Sequence, residues 1–458
     1  MQKHSTELAA TEDADFLHGA KITGTGFGLR VVQKIKIDVL YSLNTSKDLD
    51  HLLSEIGERP IVMLGEASHG THEFYTWRTA ISKRLIEEKG FNFIAVEGDW
   101  PDCYKINRYV KGYNDAGNNI REILMSFDRW PTWMWANWEV AALAEWLNAN
   151  NKKLSADKKI GFYGLDVYSL WDSMYEMVNY LNKEDPQAAT TVKKAIQCFE
   201  PYQHNEQLYA RYSLTKHSCR DKVLALLKEI RMKAQFLDGD REAGFNTEQN
   251  ALIAVNAEKY YTSMMGFDNE SWNVRDRHMM ETLDRLMEFH GKNAKGIIWE
   301  HNTHIGDARA TNMKRQGMIN IGQLAREKYG DEKIYLVGFA GYSGNVIAAE
   351  EWGAAMEELD VPAARAGSIE NILHNESTRD RYILFSEGIP EKIYETEIHH
   401  RAIGVVYHPA NERIGNYVPS VLSRRYDALV YLDETSALHP LHLHPHNEKI
   451  PETYPFGF

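Results

Sequence analysis

Ile61-Val62-Met63-Leu64-Gly65-Glu66-Ala67-Ser68-His69-Gly70 is an apolar run that stops in a loop holding a carboxylate and an imidazole. Four consecutive apolar side chains bounded by glycine read as a strand buried on both faces, the habit of parallel sheets. A helix follows over 72–89, with Phe74, Trp77, Ile81 and Leu85 at spacings of three and four and Gly90 as its stop. A second apolar run, Phe93-Ile94-Ala95-Val96, ends in Glu97-Gly98-Asp99. Strand, helix and strand in this order make a βαβ unit. In open α/β sheets ligands bind at the carboxyl ends of the strands, so Glu66, His69 and Glu97 stand where a site is expected.

Further strands are expected at 160–165, ending in Asp166, at 296–299, followed by Glu300-His301-Asn302-Thr303-His304, and at 334–339, 402–407 and 428–432. Residues 170–292 carry helical periodicity, few prolines and no clear strand. The expected architecture is α/β, an open and mostly parallel sheet flanked by helices, with a helical insertion and a small α+β appendage. The expected divisions are a flexible segment at 1–30, core at 31–168, insertion at 169–292, core again at 293–340 and 401–440, appendage at 341–400, and a tail at 441–458. Gly24-Thr25-Gly26-Phe27-Gly28 follows no strand and so lacks the setting of a dinucleotide loop.

The 458 residues allow a large core, and 43% hydrophobic with 26% charged content is that of a globular protein. A net charge of -13 argues against a nucleic-acid partner, since phosphate binding needs clustered Lys and Arg. Cys103, Cys198 and Cys219 are odd in number and widely spaced, which implies no disulfide framework and fits a reducing, cytoplasmic setting. No run has the length of a membrane span. The histidine-rich stretch His439-Pro440-Leu441-His442-Leu443-His444-Pro445-His446 has no acid or thiol nearby in sequence to complete a metal cage, and no function is assigned to it.

An unperturbed imidazole titrates near pH ~6.5, so His69 is the expected proton acceptor, with Glu66 three residues away to fix its tautomer. The following helix start should favour the neutral ring. Arg78 lies on the loop side of that helix and is expected to neutralise Glu66 or Glu97 or to bind a substrate carbonyl. Glu97 ends a very apolar strand, where desolvation should raise its pKa and suit it to hold water. His301 and His304 suit donation to a developing oxyanion, and with Glu66, Glu97 and Glu300 a carboxylate–histidine metal site is an equal reading of the same residues. Arg275 and Asp276 open a helix, as caps or, for Arg275, as a substrate contact. Trp130 and Trp133 form either core or an apolar substrate wall. Gly341-Tyr342-Ser343-Gly344-Asn345 does not match a nucleophile elbow, so water is the expected nucleophile.

Taken together and in order, Gly65-Glu66-Ala67-Ser68-His69-Gly70, the helix with Arg78, the strand ending in Glu97 and the His301-Asn302-Thr303-His304 turn resemble the erythromycin esterase family, also known as succinoglycan-biosynthesis-like proteins. The resemblance runs from about Pro60 to beyond His439. It implies a metal-independent, cofactor-free hydrolase of a small-molecule ester or lactone. It further implies His69 as general base, with Glu66, Arg78, Glu97, His301 and His304 around one cleft. Macrolides are one substrate class of the family and do not follow for this chain. A metal-dependent hydrolase and a noncatalytic ligand-binding protein are the rival readings.

Overall fold

The computed structural model describes residues 40–202, 205–213, 218–233, 242–266, 269–387 and 396–442. The N-terminal segment 1–30 with its glycine run, and the tail beyond residue 442, lie outside them. Among the described residues eleven strands occur in chain order: β1 (Tyr41–Ser42), β2 (Ile61–Leu64), β3 (Phe93–Val96), β4 (Gly161–Gly164), β5 (Gly296–Trp299), β6 (Ile334–Ala348), β7 (Glu357–Val361), β8 (Arg381–Leu384), β9 (Ile398–Arg401), β10 (Tyr417–Ser420) and β11 (Ala428–Thr435). Nine form one sheet in the order β1-β8-β11-β6-β2-β5-β3-β4, with β7 pairing β6 alongside, while β9 and β10 pair separately.

From β11 to β4 every neighbour is parallel. The edge strands β1 and β8 and the side strand β7 are antiparallel. Every residue of β2, β3, β4 and β5 is buried. Each large aliphatic chain removed from water contributes roughly 1.5–3 kcal/mol, which sets these four strands as the centre of the core. Register places Leu64 and Val96 opposite Trp299, and Gly164 opposite Val96, so β2, β3, β4 and β5 end on one edge.

The helices up to β5 are α1 (Asp50–Ile56), α2 (His72–Lys89), α3 (Trp100–Lys111), α4 (Ile120–Met125), α5 (Trp138–Asn151), α6 (Leu170–Glu184), α7 (Pro186–Phe199), α8 (Glu206–Ser213), α9 (Arg220–Lys233), α10 (Ala243–Ser263) and α11 (Glu270–His290). α2 has the bounds expected from its pattern and ends at Gly90 with φ 73°. Its inner face is rotated from the expected stripe: Tyr75 and Arg78 are buried with Phe74, Ile81 and Leu85, and Trp77 is half-buried. Between β4 and β5 run α6 to α11, whose residues build a second apolar core around Trp171, Val192, Leu226 and Tyr261.

Three sequence expectations need correction. Cys198 and Cys219 form a disulfide across 21 residues, leaving Cys103 as the free, buried thiol. Helix packing, which spacing does not encode, brings them together. No strand forms at 402–407; Ile403 and Val406 make only isolated bridges, to Ser68 and Ala349. Much of 341–400 is not an appendage, because β6 runs on to Ala348 and β8 inserts between β1 and β11. None of the described helices is long and apolar enough to cross a membrane.

Candidate active site

The loop after β2 is fixed from several sides before any chemistry is considered. Gly65 donates to the Val337 carbonyl at 2.8 Å, and the Asn302 side chain occupies the space a Cβ would need. Asn302 in turn bonds the Phe339 backbone in both directions, at 2.7 and 3.1 Å, and its amide donates to the Glu66 carbonyl at 2.9 Å. Gly70 packs on the Ile347 backbone, where a side chain would collide. The ends of β2, β5 and β6 are thus locked together around the loop that holds Glu66 and His69.

Inside this frame, His69 Nδ1 lies 2.9 Å from Glu66 Oε1. The other carboxylate oxygen of Glu66 accepts from Arg78, a fully buried guanidinium that lies over the rings of Tyr75 and Trp299 at 4.4 and 4.7 Å. With Nδ1 donating to Glu66, His69 Nε2 has no hydrogen-bond partner among the described residues, and His69 lines a cavity of about 90 Å³. Burial disfavours the imidazolium, but the charge of Glu97 and the bond and charge of Glu66 outweigh it, so the pKa of His69 is raised above its ordinary 6.5. The carboxylates prevail over the effect expected from the start of α2.

Glu97 lines the cavity, but its pKa shifts opposite to the direction expected from its strand. Burial pushes its pKa up, but His304, Arg275, His69 and the His301 amide outweigh it and hold the carboxyl well below the usual range. Its oxygens receive Arg275 Nη2 at 2.7 Å and the His301 amide at 2.8 Å. Arg275 is neither a cap nor a free substrate contact. It also grips Asp166 through Nε at 2.9 Å and Nη2 at 2.7 Å, and it lines the cavity.

His301 caps α12 (Asn302–Ile305), and His304 lies within it. The Thr303 amide donates to His301 Nδ1 at 3.3 Å, which puts the proton on Nε2. That atom is buried and makes no hydrogen bond. Burial and the neighbouring His69 depress the pKa of His301 well below 6.5, against smaller opposing effects of Glu97 and the Ala67 carbonyl. Its ring stands 4.9 Å from that of His69, outside the lining of the cavity. His304 is committed at both nitrogens, to Asp276 at 3.0 Å and Arg275 at 3.0 Å, and stacks on Trp272 at 4.4 Å. Arg78 neutralises Glu66, one of the roles expected of it, while His304 holds Asp276 and Arg275 in place, and neither lines the cavity. Glu300 is buried with both oxygens unpartnered, and burial first, then Glu97 and Asp276, raise its pKa well above 4.5.

Both expected tryptophans are packed in the core, and of the two Trp130 also lines the cavity. Trp135 lines it in place of Trp133 and donates to the Glu97 carbonyl at 2.9 Å. Sequence reasoning left Asp166 without a role and read Asp276 as a helix cap, whereas the cap is Asn269. Asp166 carries the same signal as Glu97, an acid at the end of a buried strand. Asp276 gives none, because its partner His304 comes from a different element.

The erythromycin esterase family pattern matches residues 86–435. The chain belongs to the erythromycin esterase family. It is 23% identical over 373 residues to erythromycin esterase type II of Escherichia coli, covering 76% of this chain and 85% of that protein. It is 21% identical over 413 residues to the putative hydrolase YbfO of Bacillus subtilis (strain 168), covering 85% and 86%. Among solved structures, a protein from Bacillus cereus superposes with a TM-score of 0.72 at 20% identity, over 88% of this chain and 97% of that one. A histidine-to-asparagine mutant of an erythromycin esterase in its open conformation superposes with a TM-score of 0.64 at 14% identity, over 86% and 95%. These structures share the erythromycin esterase fold with this chain, and membership of the family makes it a hydrolase.

Proposed function

We propose that the protein hydrolyses a carboxylic ester or lactone without a metal, with His69 as general base on water. The reading rests on one observation: Glu66 occupies Nδ1 of His69 while Nε2 is left unpartnered in a ring that lines the cavity. Nε2 takes a proton from water as the hydroxide adds to the carbonyl carbon. The tetrahedral oxyanion accepts the N–H of His301 Nε2 once the cavity opens toward that buried ring, which lies outside its lining. The imidazolium, stabilised by Glu66 and the Glu97 charge, returns its proton to the departing alkoxide, which leaves as an alcohol beside the acid.

Direct water activation is favoured over a metal by the state of the donors. Glu66 and Glu97 are engaged by guanidinium, imidazole or amide hydrogens, and both nitrogens of His304 are taken. A cation on these residues would have to displace those hydrogens, and burial raises the pKa of Glu300, whose oxygens are unpartnered, so that its charged form is disfavoured. The cavity walls of Trp130, Trp135, Met134, Phe127 and Trp352 suit an apolar substrate. Ligand pockets for larger molecules run to about 300–1,000 Å³, so a macrolactone requires the cavity to widen, whereas a small ester requires only opening toward His301. A hydrolysis screen of wild type and His69→Ala on a nitrophenyl ester and several macrolides tests the reading. It stands if the wild type turns over an ester or lactone and the variant does not, and it falls if the variant retains wild-type turnover.

A further inference from the structure

The histidine-rich stretch near the C-terminus lacks an acid in its own sequence, but the fold supplies one. Residues 436–441 cross the molecule as a strap. The His72 amide donates to Ser436, Leu438 donates to Gly70, Trp138 to His439, and Leu441 to Ala136, at 2.9 to 3.0 Å. This strap brings His439 against the start of α5 and the start of α2. There Nδ1 of His72 and Nδ1 of His439 converge on one oxygen of Glu139, at 2.5 and 2.6 Å. The two rings meet edge to face with centroids 5.2 Å apart.

We propose that His72, Glu139 and His439 form a zinc-class divalent metal site that fastens the C-terminal strap across the start of α2 and the start of α5. The three ligand atoms lie within 4.8 Å of one another. Two imidazole nitrogens and one carboxylate, with a water in the fourth position, is a set that zinc accepts. The second observation is Glu139 itself. Its side chain is only 4% exposed, and its other oxygen, Oε2, is buried without a partner. Two imidazoles crowded on one oxygen leave half of a buried carboxylate idle. A dication takes the imidazole lone pairs and the whole carboxylate charge together. The side chains of His72 and His439 are 33% and 62% exposed, which opens the fourth position to solvent.

The site is separate from the chemistry, since none of its three residues lines the active-site cavity. It does brace it. α2 begins three residues after His69, and α5 begins directly after the segment that supplies Trp130 and Trp135.

The full chain without an affinity tag, stripped with a chelator and titrated with zinc by calorimetry, should bind one ion per chain. Saturating zinc should raise the thermal midpoint by ~3 °C. Glu139→Gln and His439→Ala should each weaken that binding by ~100-fold and abolish the shift, because each removes a zinc ligand. His439→Ala alters a largely exposed side chain, so its folded state provides the control for Glu139→Gln. A triple change of His442, His444 and His446 to alanine should leave binding intact. Zinc binding that is absent, that survives Glu139→Gln, or that disappears only in the triple variant would overturn the proposal. The readout is binding and not hydrolysis, so it is independent of the assignment of His69.

Discussion

Two buried carboxylate–imidazole pairs lie on the same edge of the sheet, Glu66 with His69 at 2.9 Å and Asp276 with His304 at 3.0 Å. Taken alone they are alike, each an acid fixing Nδ1 of a histidine. They differ at the far nitrogen. Nε2 of His304 meets Arg275 and its ring is covered by Trp272, whereas Nε2 of His69 is unpartnered and its ring lines the cavity. The proposed catalytic base is therefore set apart less by its acid partner than by what the second nitrogen is left to do.

The comparison breaks most visibly in turnover. His69→Ala should lower kcat by ~10² to 10⁴, the usual contribution of a general base. His304→Asn should lower kcat of the folded protein by no more than ~10-fold and instead destabilise it by roughly 2–4 kcal/mol, because Asp276 and Arg275 lose a buried partner. Equal losses of kcat in the two variants, measured beside urea denaturation, would erase the distinction between the pairs.

A sharper form uses pH. The pKa of His69 is raised, so the acidic limb of kcat/KM should lie above pH 6.5, with activity gained as the ring loses its proton. The same shift means that the stabilising contribution of this group is full below its unfolded value near ~6.5 and is lost as pH rises through the folded value. Glu66→Gln removes an anion that favours the imidazolium. The limb should move to lower pH while the plateau falls, and a limb that stays put would show that Glu66 does not set the basicity of His69.

The smallest expected effects distinguish the cavity wall from the core. Trp130→Phe should change KM by a few-fold and cost about 1–2 kcal/mol, because the bond from its indole N–H to the Ala354 carbonyl is lost. Trp133→Ala should leave KM unchanged in the folded fraction and cost about 3–5 kcal/mol, the usual loss for a large aromatic removed from a core. Denaturation and steady-state kinetics on both variants check the assignment.

Much of the fold was legible because its signals are local. The apolar runs of β2, β3 and β5 are bounded by glycine or acids, and the bounds of α2 follow from periodicity and Gly90. The strand expected at 402–407 failed because its apolar residues reach their neighbours as single bridges. The pairing of Cys198 with Cys219, 21 positions apart, escaped notice because the packing of α7 against α9 brings them together. In the site, Glu66 and His69 were legible three residues apart, while the roles expected of Glu97, Arg78 and His304 depended on partners from other elements. Glu97 shows why: the burial foreseen from its strand is present, but the charges of His304 and Arg275, each about two hundred residues away, reverse its consequence.

The order of residues by itself determined a parallel α/β sheet and put acids and histidines at the ends of its strands, since apolar periodicity and glycine stops act over a few residues. Only the tertiary structure decided which imidazole nitrogen is left unpartnered, which carboxylates are neutralised, and that an acid on α5 meets the histidine at the far end of the chain. Those outcomes depend on charges and hydrogen bonds acting over a few ångströms between segments hundreds of residues apart, and only packing sets such distances.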